Sequence, residues 1–129
     1  MEKAKEHKVS PIQLKDIPCR IFTDKGGGEI KLYRLGVYDD ECFELVELEE
    51  NRVYPPHIHK ESSSVFHMIK GKGIILIHND VKEYKTGDTF TIPHGIAHGF
   101  HTQTTTLFLS SQKPPIINEE SDTIDIAYI

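Results

Sequence analysis

The chain has 129 residues, 37% hydrophobic and 27% charged, a size and balance that suit one globular domain with a single core. Its net charge of -5 argues against the basic face that a nucleic acid or an anionic membrane requires, and no apolar run is long enough to span a bilayer. Cys19 and Cys42 are its only cysteines and show no CxxC spacing, so they read as small buried apolar residues in a reducing, cytoplasmic setting rather than as a disulfide framework.

In chain order, the charged start from Met1 to Lys8 has no apolar stretch after it. Residues 1–10 are therefore expected to be a flexible segment and not a signal peptide, with 11–129 as one domain. Turn signals then recur at short intervals: Gly26-Gly27-Gly28, Asp39-Asp40, Glu50-Asn51, Gly71-Lys72-Gly73, Asn79-Asp80 and Thr86-Gly87. Between them lie runs rich in Val, Ile, Phe, Tyr and Thr, over 30–38, 42–49, 65–70, 74–78, 89–92 and 105–110, as half-buried strands require. Asn79-Asp80 reads as a two-residue hairpin turn. Pro114-Pro115 stops the strand before it, and 123–129 reads as a last edge strand or as an arm swapped onto a second subunit. There is no helical period and no internal repeat. The pattern predicts an all-β sandwich or barrel.

Two spaced motifs carry the chemistry. The first is Pro55-Pro56-His57-Ile58-His59, followed by Ser64-Val65-Phe66-His67-Met68-Ile69-Lys70-Gly71. The second runs from Gly87 through Pro93-His94-Gly95 to His98. On a strand, alternate side chains share a face, so His57 and His59 project together. Two imidazoles on one face with a third nearby suit a divalent transition metal such as Fe, Zn, Ni or Mn.

Together these motifs resemble those of the cupin superfamily, small single-domain members in particular. That pattern is Gly, five residues, His-x-His, three or four residues, Glu, six residues, Gly, and then Gly, five residues, Pro-x-Gly, two residues, His, three residues, Asn. His57, His59, Gly71, Gly87, Pro93, Gly95 and His98 all fall in register over 51–102. Ser64 stands where the family has its glutamate ligand, Thr102 where it has Asn, and Asn51 where the motif opens on Gly. The resemblance implies a double-stranded β-helix, or jelly-roll barrel, with one divalent metal on His57, His59 and His98. It also implies a homodimer.

With no anionic ligand from the chain, three neutral imidazoles leave the ion's charge unneutralised and favour an anionic small molecule as the next ligand. Ser64, or Glu61 if the strand ran on past His59, would take the fourth position or touch substrate. Strand parity places Phe66, Met68, Phe90, Ile92, Phe100 and Thr102 on the pocket wall, and turns His67 and His101 away. His94 is expected near the pocket mouth and His78 at an exposed hairpin end. The resemblance implies a metal-dependent enzyme acting on a small organic molecule, with a three-histidine Fe(II) dioxygenase as the leading reading. Alternatives are a sugar or sugar-acid isomerase, epimerase or lyase-like enzyme, with His94 or Tyr54 as base, and a non-catalytic binding protein. The catalytic residues are unassigned by sequence.

Overall fold

A computed structural model describes residues 11–129, and the expectation for residues 1–10 lies outside them. One 3-10 turn, Leu14–Asp16, precedes ten strands: β1 (Cys19–Thr23), β2 (Glu29–Tyr38), β3 (Glu41–Leu48), β4 (Val53–Ile58), β5 (Ser63–Lys70), β6 (Gly73–Ile77), β7 (Asp80–Tyr84), β8 (Thr89–Ile92), β9 (His98–Thr102) and β10 (Thr106–Lys113). Three two-residue strands follow, β11 (Ile117–Asn118), β12 (Thr123–Ile124) and β13 (Ala127–Tyr128). No α-helix occurs among the described residues. All pairings are antiparallel. They build a six-stranded sheet, β1-β2-β3-β10-β5-β8, and a five-stranded sheet, β13-β4-β9-β6-β7, besides the β11-β12 ladder. The fold is the expected double-stranded β-helix.

Alternation of side chains sets the interior. On β3, Cys42, Glu44, Val46 and Leu48 are buried, and on β10 Thr106, Phe108, Ser110 and Gln112. Register aligns them with β5 in cross-sheet rows: Cys42, Gln112 and Ser64, then Glu44, Ser110 and Phe66, then Val46, Phe108 and Met68. The rows grade from polar to apolar, so the barrel interior has one polar end and one apolar end. Phe66, Phe100 and Phe108 pack together, with ring centroids 4.5 Å apart for Phe66–Phe108 and 5.4 Å for Phe100–Phe108. Burying each such ring contributes about 1.5–3 kcal/mol.

Three expectations are corrected. The β6–β7 turn is His78-Asn79, one residue earlier than Asn79-Asp80, because Ile77 pairs with Asp80 and His78 takes the left-handed φ of 54°. Cys42 is buried, but Cys19 is exposed at the start of edge strand β1. The tail does not form a single strand over 123–129. It breaks at Asp125-Ile126, and β13 adds to the β4 edge of its own barrel, Tyr128 opposite His57.

Candidate metal centre

The site begins with a local irregularity. Pro55 and Pro56 have no N–H for the β4–β9 ladder, and the register shifts between the Tyr54–Phe100 and His57–His98 pairs. Gly99 lets β9 come close here, since a Cβ on it would stand 2.6 Å from the Tyr54 carbonyl. The result sets His98 directly opposite His57. His59, just past the end of β4, shares the face of His57. Ring centroids are 4.3 Å apart for His57–His98, 4.9 Å for His57–His59 and 5.1 Å for His59–His98. One ring nitrogen from each lies within 4.8 Å of the others.

Burial governs their protonation. Desolvation, then the neighbouring His59, pushes His57 down to about 4. Desolvation also lowers His59, and holds His98 well below its ordinary value with the two other imidazoles adding to the effect. All three are therefore neutral near pH 7, the form that ligates metal. His59 Nδ1 bonds the Asp125 carbonyl at 2.5 Å; as donor to that oxygen it leaves Nε2 with a free lone pair. Nδ1 of His57 is buried with no hydrogen-bond partner. Such an orphan costs about 1–3 kcal/mol unless something binds it. Neutral imidazoles, a backbone acceptor behind one of them and an orphaned nitrogen together fit a divalent transition ion.

Asp125 also ties down the turn after His59. Its carboxylate accepts the backbone N–H groups of Lys60, Glu61 and Ser62 at 2.8, 3.0 and 3.0 Å. Burial raises the Asp125 pKa, but these three donors outweigh it and hold the group below the ordinary carboxylate value. Glu61 itself is exposed and outside the histidine cluster, because the strand ends at Ile58 and the turn breaks its alternation. Ser64 is 1% exposed, with its Oγ unpartnered like that of Ser62.

A cavity of about 290 Å³ opens beside the histidines, all three of which line it. Phe66 and Phe100 are in its wall, as expected from parity. Met68, Ile92 and Thr102 are buried outside the lining and Phe90 is half-buried outside it, because the first two and Phe90 pack into the core. Thr102 is tied instead to Glu49 and Arg52, its Oγ1 donating to the first carbonyl and accepting the Arg52 N–H. Neither proposed base reaches the cavity with a free group. His94 is exposed, and the Tyr54 hydroxyl is committed to the Glu29 carbonyl at 2.6 Å and the Glu49 N–H at 2.9 Å. His67, His78 and His101 are exposed.

The sequence reading missed several polar groups of this wall: Asp24, Glu44, Ser110, Gln112 and Tyr128. The Tyr128 hydroxyl donates to Asp24 Oδ1 at 2.6 Å, and the Tyr128 ring lies 5.8 Å from that of His57. Glu44 accepts from Gln112 Nε2 at 2.6 Å. For Glu44 the signal was present, since it shares strand parity with Cys42, Val46 and Leu48. Asp24 and Tyr128 lie in a turn and a tail, where parity says nothing.

A jelly-roll barrel with three histidines, two buried and one half-buried, converging beside an internal cavity defines a class, that of barrels able to hold a metal inside. Residues 44–110 match the cupin domain family, and the chain belongs to it. Over 119 residues it is 28% identical to an uncharacterized protein of Aquifex aeolicus (strain VF5), covering 91% of this chain and 97% of that one. Among solved structures it is similar to a predicted oxalate decarboxylase of Thermotoga maritima, with TM-score 0.69 and 16% identity over 82% of this chain and all of that one. It is also similar to the polyketide cyclase RemF of Streptomyces resistomycificus, with TM-score 0.66 and 22% identity over 84% of this chain and 83% of the other. At these identities the structures speak for the fold alone. No helix among the described residues is long and apolar enough to cross a membrane.

Proposed function

We propose that this cupin holds one divalent transition metal on His57, His59 and His98 and acts on a small organic molecule in the adjoining cavity. The observation that supports this reading is the convergence of three neutral imidazoles, those of His59 and His98 buried and that of His57 half-buried, on a mainly apolar cavity. A bound ion supplies open coordination positions and polarises a substrate oxygen. The Asp125 carbonyl fixes the His59 ring, while Phe66, Phe100 and Phe108 keep water from the substrate's apolar body. The leading reaction reading is a three-histidine Fe(II) dioxygenase, which asks no acid or base of the protein for substrate binding.

One observation favours a second reading, a redox-neutral isomerase, epimerase or lyase-like reaction on a sugar or sugar acid. Such chemistry needs a general base. The hydrogen-bonded Asp24–Tyr128 pair in the cavity wall offers a group able to hold and move a proton. Oxygen uptake by Fe(II)-loaded protein, assayed with thiols, β-diketones and hydroxylated aromatic acids, decides between them. Turnover with oxygen consumed supports the first; turnover of a sugar acid without oxygen supports the second. Metal content far below one equivalent, with folding unchanged in His98→Ala, would instead point to a binding protein without catalysis.

A further inference from the structure

On the six-stranded sheet, opposite the strands that carry His57 and His98, one interior row runs Arg34, Glu44, Ser110, Phe66 across β2, β3, β10 and β5. Phe66 packs on His98 with centroids 5.7 Å apart, so this row stands level with the metal centre. Glu44 is 2% exposed, yet it lines the cavity. A carboxylate in apolar surroundings has to be held by partners. Here Oε1 accepts from Gln112 Nε2 at 2.6 Å and Oε2 faces Arg34 Nε at 3.5 Å. Gln112 is itself pinned, its Oε1 accepting the Ile116 N–H at 3.0 Å and its Nε2 reaching Ser110 Oγ at 3.3 Å. A carboxylate has about four acceptor positions, so the two partners leave Glu44 with acceptor capacity on the cavity side. Asp24, 5% exposed, adds a second carboxylate to the same wall.

We infer that Glu44 is a specificity-determining residue: it selects a substrate with a hydrogen-bond donor, a hydroxyl or amino group, at the end remote from its metal-binding oxygen, and rejects one with a second carboxylate there. This rests on the metal and cavity reading above. The ion draws one anionic oxygen to the histidines, while the two carboxylates of Glu44 and Asp24, set against the one guanidinium of Arg34 on Glu44, make the rest of the cavity averse to negative charge. A hydroxyl meeting Glu44 forms a charge-assisted bond out of water, whereas a carboxylate meets a like charge that Arg34 offsets in part and Asp24 adds to.

Three single-ring probes test it by titration calorimetry on Zn(II)-loaded protein: benzoate, 4-hydroxybenzoate and terephthalate. We expect 4-hydroxybenzoate to bind about tenfold or more tighter than benzoate, the size of one charge-assisted hydrogen bond. Terephthalate is expected to be the weakest of the three. In Glu44→Gln, which keeps the shape and removes the charge, the hydroxyl preference shrinks and terephthalate approaches benzoate. The ranking in the unmodified protein stands as a test even if that variant fails to fold. Equal affinity for benzoate and 4-hydroxybenzoate, or terephthalate binding as well as benzoate, overturns the role of Glu44 alone. Absence of binding by all three at one equivalent of Zn(II) overturns the cavity reading and this inference with it.

Discussion

His57 shows how burial of one side chain couples the site to stability. Folded, it protonates only near about 4, whereas its ordinary value is 6.5. Between those values the unfolded chain binds more protons than the folded one. Stability of the metal-free protein is therefore full above about 6.5 and falls as pH drops towards about 4, by roughly 3 kcal/mol from this residue. His59 and His98 shift the same way and steepen the loss. Urea midpoints measured across that interval should fall with pH; a level or rising midpoint contradicts three neutral imidazoles. Ser64 supports a second prediction at this scale. It is buried on β5, and the motif resemblance puts it where a carboxylate is expected, so Ser64→Glu is expected to tighten Zn(II) binding about tenfold or more, ~1.4 kcal/mol. Competition with a chromogenic chelator measures it, and unchanged affinity would mean that position 64 does not reach the ion. The three histidines were legible because HxH spacing and strand alternation are local rules. Glu44 obeyed the same rule, yet it lies on β3, outside the two histidine motifs that located the site.

Elements add what local rules miss. The stop of β10 at Lys113 was readable from Pro114-Pro115, because proline acts on its own neighbours. Docking of β13 on β4 was not, since Asp125 and His59 are 66 positions apart and nothing in either segment names the other. The off-by-one turn between β6 and β7 has a similar origin. Asn79 is the commoner left-handed residue, but cross-strand register put that conformation on His78. Through its carbonyl and carboxylate, the Asp125 segment orients His59 from outside the ligand set. Asp125→Ala releases the three N–H groups of the 60–62 turn and should weaken Zn(II) binding by about 10–100-fold, the usual effect of losing support behind a ligand. Asp125→Asn, which keeps the acceptor oxygen, should recover part of that loss. Equal loss in both would mean that the charge matters rather than the hydrogen bonds.

For the whole molecule, the family resemblance led us to expect a homodimer, and Ile21, Leu35, Val37 and Tyr38 on β1 and β2 leave apolar surface exposed. Light scattering should then give twice the 14.7 kDa of one chain. A mass of one chain would leave that surface to another use. The two large sheets carry the barrel, while the cavity's last wall is made by a segment held through two-residue ladders. This division bears on survival in the presence of proteases. Residues 118–123 are all exposed, on the chain just before the segment that backs His59. Exposed tips of this kind are where proteases cut. A single cut there severs no strand of the barrel, yet it frees the piece that closes the site. Zn(II)-loaded protein, once nicked, should keep its β-rich circular dichroism and release the Zn(II), so one peptide bond can separate a durable scaffold from a disposable site.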